Sequence, residues 1–186
     1  ALTMPEHIRA LIVMLVLSGA IWFFAKPVVI QLIASEDFHR WRNLWFFTIL
    51  AWFLAHNFWI YVALMVVALS IARQKEKYIF GLFLLLVLAA PPSQMAIPGF
   101  GIIDHLFVLT HYRLLALVLL LPAALTLARK SGVQRLGAAP IDWAVLGYLA
   151  WLCLMDFRET SITNGFRIML LNVVDYLLPY YVASRA

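Results

Sequence analysis

Residues 43–72 run for 30 positions without an Asp, Glu, Lys or Arg. Drawn as one helix at ~1.5 Å per residue, they would reach roughly 45 Å, more than the ~30 Å of a bilayer's hydrocarbon layer. The stretch must therefore tilt and protrude, or break at His56 and Asn57. We expect an unbroken, tilted helix. Either way the segment belongs in lipid, and the rest of the chain agrees: 65% of the 186 residues are hydrophobic and 12% charged, with a mean hydropathy of +0.94. The seven Trp and seven Tyr suit headgroup levels, and the thirteen Phe suit hydrocarbon and helix contacts. The net charge of +5 then reads as loop charge and topology signal. No basic stripe interleaved with aromatics argues for nucleic acid as a partner.

Five further apolar runs flank this one, giving an all-α, polytopic transmembrane helical bundle of six spans, expected to form a single domain over residues 1–186. The first covers residues 10–33 with a kink at Pro27. Bulky aromatics in "SGAIWFFAKP" stand where a signal peptide would carry small residues, so this is a retained span. The others are 78–90, then 106–128 or 113–128, then 141–155 and 166–183. Pro91 and Pro92 end the third, leaving "SQMAIPGFG" unhelical and Gly99 to Gly101 as turn chemistry. No run alternates apolar and polar as a strand would. Cys153, the only cysteine, excludes an intrachain disulfide and reads as a small buried thiol.

Lys and Arg positions set the expected orientation. With "RQKEK" and "RKSGVQR" in the cytoplasm, Arg9, Arg73, Lys75, Lys77, Arg129, Lys130, Arg135 and Arg185 lie inside, eight against six outside: Lys26, Arg40, Arg42, Arg113, Arg158 and Arg167. Both chain ends would then be cytoplasmic. Three polar stretches, "EDFHRWR", "DHLFVLTHYR" and "DFRETSITNGFR", would share the outer face.

The last stretch carries the most information. Thr160 or Ser161 can cap the sixth helix, which places Arg167 well inside it. A guanidinium there can reach outward to water or turn inward to an anion, and its planar fork of donors matches a phosphate. Arg113 holds a similar place at the outer end of the fourth span, so Arg113, Arg158 and Arg167 are candidate ligands for one lipid diphosphate. Asp175 lies mid-span, costly unless paired; a hydrogen bond to Asn172 or a Tyr is the first expectation, and a proton relay the second. His56 and Asn57 read as interhelical contacts. His105 and His111 do not share a helix face at their spacing, and no third ligand accompanies them, so no metal is expected. No nucleophile elbow, phosphate-cradling glycine loop or carboxylate pair identifies catalytic residues, and no cofactor is implied.

Taken together, "LWFFTILAWFLAHNFWIYVAL" (44–64), "HYRLLALVLLLPAAL" (111–125) and "FRETSITNGFR" leading into "DYLLPYYVASR" (157–185) resemble the N-terminal half of bacterial O-antigen ligase and O-antigen polymerase-like membrane proteins. The resemblance implies a metal-independent glycosyltransferase of the bacterial inner membrane. It would move a glycan from an undecaprenyl-diphosphate carrier to an acceptor in polysaccharide biosynthesis, with arginines holding the diphosphate leaving group. The partners implied are membrane lipid, the lipid-linked glycan and other polysaccharide-assembly proteins. The family's long outer loop and its catalytic His and Arg belong to a C-terminal half that this sequence does not include. The chain is accordingly expected to be part of a larger protein and inactive by itself. The alternative is a non-catalytic membrane subunit or half of a transporter, whose intramembrane polarity serves only helix packing.

Overall fold

The computed structural model describes residues 6–90, 94–98 and 105–185. Helix dominates. The elements are α1 (Glu6–Leu32), α2 (Ser35–Leu54), α3 (Phe58–Gln74), α4 (Ile79–Val87), strands β1 (Gln94–Pro98) and β2 (His105–Thr110), then α5 (His111–Arg129), α6 (Pro140–Glu159) and α7 (Ile162–Arg185). Four helices, α1, α5, α6 and α7, are long and apolar enough to cross a membrane. The chain is thus a helical membrane protein, but six clear spans do not emerge. α2 opens with Glu36, Asp37, Arg40 and Arg42, while α3 and α4 have 17 and 9 residues. The helices divide into two compact units, residues 1–77 with 84–91 and residues 78–83 with 92–186.

In the first unit the expected unbroken helix over residues 44–72 gives way to two. Ala55 leaves the helical region at ψ 111°, and Asn57, extended at φ −137°, caps α3 by accepting from the Trp59 amide at 3.0 Å. Asparagine competes well for a helix N-terminus, because its oxygen satisfies an amide that the first turn leaves unpaired. His56 and Asn57 are exposed at this break, so the interhelical contacts expected of them give way to a turn.

The break folds α3 back along α2. Arg40, in the second turn of α2, donates from Nη2 and Nε to Glu76 Oε2 at 2.8 and 3.2 Å, and Trp41 Nε1 donates to the same oxygen at 2.9 Å. The Glu76 side chain is fully buried. Arg40 Nη2 also reaches Asp37 Oδ1 at 2.7 Å. Burial disfavours the charged guanidinium, but Glu76 and Asp37 outweigh it, and the net pKa of Arg40 lies above its ordinary value. This contact corrects the expected topology. The expected topology puts "EDFHRWR" and "RQKEK" on opposite sides of the membrane, yet groups 2.8 Å apart share a side of a layer ~30 Å thick. The cause is the break at 55–57, which adds a reversal that one continuous helix would lack.

α1 packs antiparallel on α2. Trp22 meets Phe38 and Trp45 edge-on, with ring centroids 5.2 and 6.2 Å apart, and Trp45 Nε1 donates to the buried Ser18 hydroxyl at 3.1 Å. The helix runs through Pro27. Its remaining surface, including Val13, Val16, Ile21 and Phe24, is exposed and apolar, as a lipid-facing surface should be.

In the second unit β1 and β2 pair antiparallel, Gln94 opposite Thr110 and Ala96 opposite Val108, with an irregularity before Pro98. These strands revise the expectation of no strand, and they exclude a helix starting at residue 106. "HLFVLT" offers too little period to reveal itself, and its pairing with residues 94–98 supplies what propensity does not. Thr110 ends the strand and caps α5, accepting from the Arg113 amide at 3.2 Å. Gly99 to Gly101 lie outside the described residues.

α5 and α7 each contain a π-helical turn, at Ala116–Leu120 and Val173–Leu177, ending two residues before Pro122 and Pro179. A proline lacks the amide of its turn and crowds the carbonyl four residues earlier; the wider turn relieves that crowding. α7 packs on both α5 and α6. At its contact with α6, Gly165 is buried, and a Cβ there would lie 2.5 Å from the Phe157 ring.

Glu76 generates a stability prediction. Glu76→Ala leaves Arg40 without its buried partner and should cost about 2–4 kcal/mol, toward the low side of the buried-pair range because Arg40 is partly exposed. Thermal unfolding in detergent should show a Tm several degrees lower, with much of the loss recovered in Arg40→Leu/Glu76→Leu. An unchanged Tm in Glu76→Ala would contradict the role assigned to the pair.

Candidate functional site

The three arginines expected to converge on a diphosphate occupy different settings: Arg158 and Arg167 flank the α6–α7 turn, whereas Arg113 is bonded to Asp175, 13 residues into α7. Arg113 lies in the first turn of α5, Arg158 in the last turn of α6 and Arg167 in the second turn of α7. The turn between α6 and α7 brings the latter two helices together. Thr160 terminates α6, its hydroxyl donating to the Asp156 carbonyl at 2.8 Å. Ser161 takes the N-cap position of α7 without a side-chain hydrogen bond. Asp156 accepts from Asn172 Nδ2 at 3.2 Å, which ties α6 to α7 one helical stretch away from the turn.

Arg113 is held by the protein itself. Its Nε donates to both Asp175 oxygens at 3.0 and 3.2 Å, and Nη2 to Oδ2 at 2.7 Å. Nη1 donates to the Val108 carbonyl at 2.7 Å, binding strand β2 to the same guanidinium. The neighbouring Tyr112 hydroxyl donates to the Asp175 carbonyl at 2.7 Å. That carbonyl would ordinarily accept from the amide at position 179, which is Pro179; the tyrosine occupies an acceptor that the proline leaves open. The expected partners of Asp175 thus become Arg113 for its carboxylate and Tyr112 for its backbone, while Asn172 turns to Asp156. A pair joining two apolar helices offsets much of the cost of either charge in hydrocarbon.

Arg158 is exposed, and no ion pair involving it occurs among the described residues. Arg167 is half-buried. Of the three, Arg158 has the most accessible guanidinium for an anion in the aqueous layer, whereas Arg113 is committed to the α5–α7 contact. Among the described residues no three His, Cys, Asp or Glu side chains group as metal ligands.

The opposite end of this unit carries a polar cluster that sequence reading missed. Asp142 is 1% exposed. Its Oδ2 accepts from the Gly137 amide at 2.9 Å, the Ala139 amide at 3.3 Å and Arg185 Nη2 at 2.7 Å, and its Oδ1 from the Tyr180 hydroxyl at 2.5 Å. Arg185 also reaches the Gln134 carbonyl at 2.9 Å and lies 4.7 Å over the Tyr181 ring. The available signal was Pro140 followed by Asp142, a proline at the first helical position and an acid at the third, where a carboxylate can reach back to the cap amide. With every visible donor and acceptor internally engaged, the cluster reads as a clamp fastening the end of α7 to the 130–139 loop.

The Arg113–Asp175 geometry predicts an asymmetry. Arg113→Ala strands a carboxylate between helices and should lower Tm by more than Asp175→Asn, which keeps a side-chain oxygen for Arg113 to donate to alongside the Val108 carbonyl. Equal losses, or a greater loss in Asp175→Asn, would contradict the pairing. Set beside known proteins, the chain matches no family model, no curated protein and no solved structure.

Proposed function

We propose that this chain forms the membrane helices of a bacterial inner-membrane glycosyltransferase of the O-antigen ligase or polymerase type, acting on an undecaprenyl-diphosphate-linked glycan. The observation that carries the reading is the exposed Arg158 beside the α6–α7 turn, on the end of the unit where Arg167 begins α7. A departing diphosphate needs positive charge where its own charge grows, and guanidinium groups beside the N-terminal end of α7 supply it. In this reading Arg158 and Arg167 meet the diphosphate, and Arg113 holds the α5–α7 scaffold that carries α7.

Charge supports an orientation for each unit. In the first, Lys26, Arg40, Arg42, Arg73, Lys75 and Lys77 collect at the end marked by the Arg40–Glu76 pair, with Arg9 at the other. The positive-inside rule makes the crowded end cytoplasmic, which turns the N-terminal end of α1 outward and revises the expected cytoplasmic N-terminus. In the second, Arg129, Lys130, Arg135 and Arg185 favour a cytoplasmic C-terminal end, leaving Arg158 outside.

The second reading, a non-catalytic membrane subunit, is favoured by the Arg113–Asp175 pair, whose charges answer each other and leave nothing for a ligand to complete. One complementation experiment separates the two. In the full-length gene product, Arg158→Ala/Arg167→Ala should lower transfer from the lipid carrier by about a hundredfold or more. Lipid-linked glycan should accumulate while protein level stays normal. Undiminished surface polysaccharide would refute the glycosyltransferase reading and leave the subunit.

A further inference from the structure

The first unit holds a cationic feature of its own. Between α1 and α2 an open pocket of about 350 Å³ is lined by Trp22, Phe23, Phe38 and Phe46 together with Lys26 and Arg42 and bordered by Gly19. Its residues follow helical spacing: 19, 22, 23 and 26 on α1, and 38, 42 and 46 on α2. Successive members of each set fall on one face. Trp22 and Phe38, both buried and packed edge-on, form the floor.

Neither cation has a carboxylate partner among the described residues. Arg42 reaches only the Asn43 side-chain oxygen, at 3.2 and 3.4 Å, and Lys26 forms no ion pair. Arg40, one helical position set away, spends its charge on Glu76 and Asp37, so the contrast is local. The pocket is also polarised along the helices. Lys26 and Arg42 lie toward the charged end of the unit, six residues before the end of α1 and seven after the start of α2. Gly19 and Phe46 lie toward the middle of the helices. A Cβ built at Gly19 meets no atom within 4 Å, so the deep end of the pocket is open.

An aromatic trough with two unpaired cations at its headgroup end has the shape and charge of a site for an anionic amphiphile. We propose that Lys26 and Arg42 bind the phosphate of an anionic membrane phospholipid, with its glycerol and upper acyl chain lying on Trp22, Phe23 and Phe46 toward Gly19. The fork of Arg42 and the point charge of Lys26 meet the phosphate from different helices. The lipid thereby bridges α1 and α2 at the level where long cationic side chains reach the interface.

The test uses the full-length protein in detergent micelles, titrated with phosphatidylglycerol, with phosphatidylcholine and with inorganic phosphate, bound lipid being counted by native mass spectrometry. Phosphatidylglycerol should bind with a Tm increase, and phosphatidylcholine and free phosphate should not at equal concentration. Lys26→Gln and Arg42→Gln should each weaken binding about fivefold, and together about 25-fold. Arg73→Gln, at the same charged end but off the pocket, should retain wild-type affinity. Gly19→Leu should weaken lipid binding without changing the charge, and its unliganded Tm reports whether the fold is intact. The proposal is overturned if phosphatidylcholine binds as tightly as phosphatidylglycerol, if free phosphate alone reproduces the Tm increase, or if Arg73→Gln weakens binding as much as Arg42→Gln.

Discussion

A charge inside a bundle of apolar helices must find its counter-charge, and that constraint organises this protein more than any pattern of apolar residues does. Three carboxylates are each gripped by an arginine at least 36 residues away in sequence: Glu76 by Arg40, Asp175 by Arg113 and Asp142 by Arg185, all at 2.7–2.8 Å. Uniformly greasy helices slide and rotate against one another at little cost, since lipid tails are as apolar as leucine. A paired charge opposes that sliding, because moving one partner by a turn separates the ions and leaves an enclosed carboxylate without its donor. The pairs therefore set register. The first closes α3 on α2; the second and third hold α7 to α5 and to the start of α6.

Prolines add a second, subtler constraint. Pro122 and Pro179 each follow a π-helical turn, and the carbonyl that Pro179 leaves without an amide is the one that accepts from Tyr112. Thus the α5–α7 contact is fastened by adjacent residues, Tyr112 on the backbone and Arg113 on the side chain of Asp175. Helix irregularity and ion pairing are here parts of one arrangement.

Some of this was legible in the sequence and some was not, for physical reasons. The membrane class, α1, α6 and the polar α6–α7 turn follow from apolar run length and from punctuation by charges, which are local signals. The mid-span position of Asp175 shows that it needs a partner, but its partners, 62 and 63 residues away, are a tertiary fact that no local pattern encodes. The break at Asn57 was visible as an option and lost to the length of the apolar run, although an N-capping asparagine was the stronger local signal. The β-hairpin escaped because its strands are short and draw their stability from each other. The arginines at the candidate site divide along the same line: exposure distinguishes Arg158, and a distant carboxylate claims Arg113.

The claim on which the topology and the lipid-facing proposals both rest is that α2 and α3 form a hairpin whose charged ends share one side of the membrane. In a Cys153→Ala background, single cysteines placed by Glu36→Cys and Lys77→Cys can be probed with a membrane-impermeant maleimide in intact cells and in inverted vesicles. Both should be protected in cells and both should react in inverted vesicles. Labelling of the two from opposite sides would contradict the claim.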